Sequence, residues 1–128
     1  MTTPQTGSTT WQDLTVENAE EVRDFYREVV GWESADVEVG DYCDFNMNSP
    51  ADGGTVTGIC HARGANANLP PQWLIYITVE DLEYSMERCK ARGGKIVCGP
   101  RNMGSYGTMC VIQDPAGAVA ALMAPPKQ

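Results

Sequence analysis

The chain has 128 residues with nine basic and 17 acidic side chains, a net charge of −8 and 42% hydrophobic residues. Its length suits one compact domain in which neither half buries enough surface to stand comfortably alone. The excess of acid argues against nonspecific binding to nucleic acid or an anionic membrane, since both are polyanions, and no apolar run is long enough to span a bilayer.

Residues 1–10 carry neither the basic segment nor the apolar run of a secretion signal and read as a flexible tail. Trp11 to Val16 has a strand pattern. Asn18 is placed as an N-cap, with Glu20 and Glu21 in the first turn, where the helix dipole favours acid. Ala19, Val22, Phe25, Tyr26 and Val29 recur at helical spacing and predict one apolar stripe, which ends at Gly31. Strands are predicted over Trp32 to Val39 and Tyr42 to Met47, divided by the Gly40-Asp41 turn, and over Thr55 to Ala62 after the turn at Pro50 to Gly54. Residues 66–72, ending in Pro70-Pro71 and Gln72, form a connector. Trp73 to Val79 opens a second series. Asp81 caps a helix with an inner stripe of Leu82, Met86 and Cys89, and Gly93-Gly94 stops it. Lys95 to Pro100, Tyr106 to Gln113 and Ala118 to Met123 are the remaining strands.

The second series repeats the first. Val16 to Gly31 is answered by Val79 to Gly94 after a shift of 63 residues, and Gly40-Asp41-Tyr42 by Gly104-Ser105-Tyr106 after 64. Two copies of one β-α-β-β-β module therefore occupy 11–65 and 73–124, between tails at 1–10 and 125–128. Such copies need one another to close a core. The expected fold class is α+β.

Phe25-Tyr26-Arg27-Glu28-Val29-Val30-Gly31-Trp32, the helix entry Val79-Glu80-Asp81, Gly93-Gly94-Lys95-Ile96-Val97 and Asp114-Pro115-Ala116-Gly117-Ala118 follow one another in this order. Together they resemble the glyoxalase/bleomycin-resistance/dioxygenase group, the vicinal oxygen chelate superfamily, over Trp11 to Met123. The resemblance implies paired modules whose curved mixed sheet forms a cup around a ligand cavity with the helices outside, often in a homodimer. For the group's metal enzymes it implies His or Glu ligands on the first and last strands of each module. Carried over, those positions fall near Trp11, Thr57, Leu74 and Ala121, none of which suits a divalent ion. A register shift of one or two residues adds only Asp13 and Tyr76. The expectation is a member without the family metal or any other cofactor.

His61 is the only histidine. It is the best candidate base if it faces the cup, although a lone histidine at a strand end is more often structural or exposed. It cannot touch Cys60 directly, because neighbours on a strand point to opposite faces. Asp13, two residues after Trp11 and on the same face, places a carboxylate beside an indole, an arrangement suited to a cationic ligand. Tyr76 takes the place of Asp13 in the second module. Met103 and Tyr106 belong to the glycine-containing loop Pro100 to Gly107, which reads as a rim. Trp11, Asp13, His61, Tyr76, Met103 and Tyr106 are thus the candidate ligand-binding set, with His61 and Asp13 the catalytic candidates. Met47, Met109 and Met123 read as core or as an adaptable apolar lining.

Five cysteines without a CxxC spacing indicate neither a disulfide framework nor a zinc knuckle, and fit reduced thiols in a cytoplasmic protein. The sequence lacks a GxSxG motif and a phosphate-cradling loop. Three readings remain. The first is a binding or sequestering protein for a neutral or cationic, partly apolar small molecule. The second is an enzyme of the group, a lyase, isomerase or dioxygenase, with an atypical metal site or acting through His61 or Asp13. The third is an interaction module whose cup is filled by its own side chains.

Overall fold

In the computed structural model of the protein, the described residues are 4–126. They form, in order, β1 (Thr9–Val16), α1 (Ala19–Val30), β2 (Glu33–Glu38), β3 (Cys43–Asn48), β4 (Thr55–His61), β5 (Trp73–Thr78), α2 (Leu82–Ala91), β6 (Lys95–Asn102), β7 (Thr108–Gln113) and β8 (Val119–Ala124). The class is α+β, and the β-α-β-β-β order occurs twice. The first tail is shorter than expected. β1 begins at Thr9, and the Gly7 N–H donates to the Thr78 carbonyl while the Ser8 carbonyl accepts from the Thr78 N–H. The remaining parts of the expected tails, Met1 to Thr3 and Lys127 to Gln128, lie outside the described residues.

By their internal contacts the residues fall into two compact units, one of Gln12–Trp73 and one joining the N-terminal residues through Trp11 to Leu74–Gln128. The hydrogen bonds of Gly7 and Ser8 to Thr78 explain why the N-terminal segment groups with the second series.

In the unit of Gln12–Trp73 the strands lie in the order β2-β3-β4-β1. β2 and β4 run antiparallel to β3, whereas β1 runs parallel to β4, with Asp13 opposite Gly58 and Thr15 opposite Cys60. Ala19 of α1 packs with Leu14 and Val16 of β1, Phe45 and Met47 of β3 and Ile59 of β4, joined by half-buried Val22 and Tyr26. Because side chains alternate along a strand, Asp13 and Thr15, Asn46, and Gly58 and Cys60 project from the opposite face. Trp73 joins the α1 side, where its Nε1–H donates to the Tyr26 hydroxyl at 3.1 Å.

Two expectations for α1 are corrected. Asn18 makes no side-chain cap to the backbone; its Nδ2 donates to Glu21 Oε1 at 2.7 Å instead. The apolar stripe is also narrower than the spacing suggested. Phe25, Val29 and Val30 remain 55%, 64% and 52% exposed. Ala19, Val22 and Tyr26 define the buried line at i, i+3 and i+7, and Phe25 lies about 100° around the helix from Tyr26.

In the other unit the order is β5-β8-β7-β6, with β5 parallel to β8 and β7 antiparallel to both neighbours. Asp81 caps α2 as expected, its Oδ1 accepting the Tyr84 N–H at 3.1 Å. Leu82 packs with Cys110, Leu122 and Ala124, with Ile77 and Met86 alongside. The face turned away from α2 is buried too: Met109, Val111 and Ala121 are all nearly inaccessible. Tyr106, expected to open a strand, belongs instead to a 3-10 turn over Gly104–Tyr106. Gly107 then sits at φ +105, where a Cβ would overlap the Ala124 carbonyl oxygen. That close approach requires glycine and delays the start of β7 to Thr108.

Candidate functional site

The strand alternation that builds the core decides where the chemistry lies. His61 ends β4 on the same face as Ile59, the face that carries α1, and is only 4% exposed. Its backbone N–H donates to Asp44 Oδ1 at 2.8 Å, and its Nδ1 lies 3.2 Å from the same oxygen. Its Nε2 lies 3.3 Å from Glu20 Oε1, in the first turn of α1. Two carboxylates from different elements thus fix the imidazole. Tyr42 meets the ring edge-on at 5.3 Å between centroids, and Phe45 lies tilted at 5.8 Å.

Glu20, Tyr42, Phe45 and His61 border a cavity of about 280 Å³, whose further walls include Arg23, Asp36 and Arg63. The Arg23 guanidinium stacks 4.5 Å from the Phe45 ring and donates from Nε to Asp24 at 2.9 Å. That hydrogen bond, with the positive charge behind it, holds the Asp24 carboxyl below its usual range. The Arg63 guanidinium stacks 4.5 Å over Tyr42. Among the described residues neither Arg63 nor Asp36 forms an ion pair. A larger hollow of about 580 Å³ lies at the entry to α2, beside Glu80, Asp81 and Tyr84, but contains no histidine or thiol.

The opposite face of the same unit carries Asp13 and Cys60, while Asp44, near the start of β3, turns its carboxylate to the His61 ring. Burial pushes the Cys60 thiol strongly upward, and the Asp13 and Asp44 carboxylates push it further. Cys60 is therefore a neutral thiol at ordinary pH, unsuited to nucleophilic attack. Its side chain and that of His61 point to opposite faces, as the alternation predicts, so the two form no dyad. Asp13 and His61, the two catalytic candidates, are likewise on opposite faces and are not brought together.

The other candidates are placed as follows. Trp11 is half-buried on β1, and Tyr76 is half-buried on β5, opposite Ala121 of β8. Met103 is half-buried at the end of β6, and Tyr106 is 74% exposed in its 3-10 turn. Glu20, Asp36, Tyr42, Asp44 and Arg63 are not among the site candidates that the sequence offers.

The positions where a divalent ion would be held do not fit one. Leu74 and Ala121 offer hydrocarbon, the Trp11 indole can only donate, and the Thr57 hydroxyl donates to the Gln12 carbonyl at 2.7 Å. Thr57 moreover lies on the α1 side; Gly58, without a side chain, occupies the other face opposite Asp13. Among the described residues no group of three or more His, Cys, Asp or Glu side chains is arranged to hold an ion. No helix among them is long and apolar enough to cross a membrane.

Residues 8–122 match the Glyoxalase/Bleomycin resistance protein/Dioxygenase superfamily. CFP32 of Mycobacterium tuberculosis, provisionally named a glyoxylase, is 25% identical over 124 residues, 97% of this chain and 46% of that protein. The anthracycline biosynthesis protein DnrV of Streptomyces peucetius is 27% identical over 131 residues, 91% of this chain and 46% of that protein. The chain spans about half the length of these relatives. Among solved structures, methylmalonyl-CoA epimerase from Mycobacterium tuberculosis superposes with a TM-score of 0.57 at 14% identity, covering 99% of this chain and 94% of that one. The Streptomyces coelicolor epimerase, in complex with 2-nitronate-propionyl-CoA, gives 0.54 at 15%, covering 96% and 100%. At such identities the likeness is one of fold.

Proposed function

Because the chain belongs to the glyoxalase/bleomycin resistance protein/dioxygenase superfamily, we propose that it binds a neutral or cationic, partly apolar small molecule and does so without a divalent metal. The observation that carries this reading is the donor chemistry at Trp11, Thr57, Leu74 and Ala121, where no side chain offers a good ligand for a divalent ion. A cation recognised by the protein itself has to find its countercharge elsewhere. Asp13, half-buried among the strands of the Gln12–Trp73 unit, is the carboxylate we propose for it. The net charge of −8 favours the same ligand sign. The names of the relatives, one from anthracycline biosynthesis, agree with a small-molecule role.

The experiment has two arms. Protein dialysed against chelator should hold no stoichiometric nickel, iron, zinc or manganese by elemental analysis, and should still bind members of an aromatic-amine library by tryptophan fluorescence. Asp13→Asn should weaken the cationic members about tenfold and spare the neutral ones. A full equivalent of metal per chain overturns the metal-free reading, and failure of every library member overturns the binding reading.

The hydrogen bond of Asp44 to His61 favours a second reading, an enzyme of the group that moves a proton at His61 Nε2 without a metal. Here Asp44 would fix the tautomer, and Glu20 would exchange with the substrate. His61→Gln should then abolish turnover of any substrate found while leaving its binding intact.

A further inference from the structure

We infer that the cavity between His61, Tyr42 and the first turn of α1 is a binding site for a small zwitterion, a molecule carrying one carboxylate and one ammonium group. The inference concerns the α1 side of the Gln12–Trp73 unit and stands whether or not His61 transfers a proton.

The cavity is bipolar and its two poles are not spent on each other. At one pole, the Arg63 guanidinium carbon lies over the Tyr42 ring, 4.5 Å from its centre. This cation–π contact does not use up the N–H donors, whose fork geometry a carboxylate matches. Among the described residues no carboxylate takes that place. At the other pole stand Glu20, whose side chain is 71% exposed, and Asp36, also exposed and without an ion pair among the described residues. Arg23 lies near them and its charge acts on both Asp36 and Glu20, but its hydrogen bond, at 2.9 Å, goes to Asp24.

The floor is rigid. His61 is buried and held by Asp44 and Glu20, and Phe45 is 4% exposed beneath the Arg23 guanidinium. Fixed walls lower the ordering cost of capturing a small ligand. The volume, about 280 Å³, falls at the lower end of small-molecule sites and suits a ligand of amino-acid size. A simple anion would gain Arg63 but meet Glu20 and Asp36. A simple cation would gain those acids but leave Arg63 unused. Only a ligand with both charges gains at each pole.

Glycine, 4-aminobutyrate and 6-aminohexanoate, which differ in the distance between their charges, are the probes, with butyrate and butylamine as single-charge controls. Titrations of isotope-labelled protein are followed by the Arg63 Nε–H, the His61 ring and the backbone amides of Glu20 and Asp36. At least one zwitterion should shift all of these groups and bind about tenfold more tightly than either control. Arg63→Gln and Asp36→Asn, both exposed substitutions, should each remove about tenfold of that affinity while the thermal midpoint stays unchanged. Should a variant fail to fold, the comparison of zwitterions with single-charge controls on the wild-type protein decides alone. The proposal is overturned if butyrate or butylamine binds as well as every zwitterion, or if no probe shifts these resonances at about 10 mM.

Discussion

Replacing Asp44 with alanine should destabilise the protein more than a partly buried strand residue normally does. One oxygen, Asp44 Oδ1, serves both the backbone N–H of His61 at 2.8 Å and its Nδ1 at 3.2 Å, and His61 is 4% exposed. Alanine leaves a main-chain donor and a ring nitrogen without that acceptor. An unsatisfied buried polar group costs about 1–3 kcal/mol, so the pair amounts to about 2–6 kcal/mol, with the lower figure applying where cavity water reaches the ring. That is a large share of a total stability of about 5–15 kcal/mol. Asp44→Asn retains an acceptor oxygen for the backbone N–H and should cost only about 1 kcal/mol. Urea titrations followed by tryptophan fluorescence give both values, provided the slopes match the parent protein. The reasoning is refuted if alanine costs less than about 0.5 kcal/mol, because His61 would then be satisfied without Asp44.

Raising the pH should weaken the fold. Burial and neighbouring carboxylates raise the Cys60 thiol, and burial with the nearby Cys89 and Cys98 pushes Cys110 up to about 11. The unfolded thiols lose their protons near pH 8.5 while the folded ones keep theirs, so stability falls by about 1.4 kcal/mol per pH unit per thiol above that value. For Cys110 the loss ends at about 11. Urea midpoints at a series of alkaline pH values should show the slope, and Cys60→Ser with Cys110→Ser should flatten it; an unchanged slope in the double variant sinks the assignment. Gly107→Ala should abolish cooperative unfolding or lower the midpoint severely, since its Cβ meets the Ala124 carbonyl, and a melting curve like that of the parent would contradict this. Ile59→Ala, at a site with no exposure, should cost about 2–5 kcal/mol, and a loss under about 1 kcal/mol would mean that the α1 side is loosely packed.

Much of the fold was legible because periodicity and punctuation survive in sequence. Asp81 caps α2 by the bond expected of it, and Gly31 ends α1 in a left-handed conformation at φ +90. The errors have local causes. Asn18 has in Glu21 a side-chain partner that competes with the backbone role its position suggested. Phe25 and Val29 satisfy a helical spacing count, but the count does not give the width of the strip that a sheet can cover. Tyr106 lost its place in a strand to a turn fixed by Gly107, whose need for glycine lies in the distant Ala124 carbonyl.

The site was less legible, because its charges come from residues far apart in sequence. Glu20, Asp44 and His61 meet only after β3 has paired with β4 and α1 has settled on both. What the sequence does contain is the parity of the strand, and parity proved decisive. Ile59 is apolar and faces α1, so His61, two residues on, must face it too, and Cys60 must not. The same count assigns Asp13 to the face of Cys60 through the pairing of Thr15 with Cys60. A single strand thus sends its histidine to one side and its thiol to the other. Any chemistry that required both would need a one-residue slip of β4, which would bury Cys60 against α1 and expel Ile59 from the core. The loss of Ile59 burial, about 1.5–3 kcal/mol before other core side chains are counted, keeps the two functions apart.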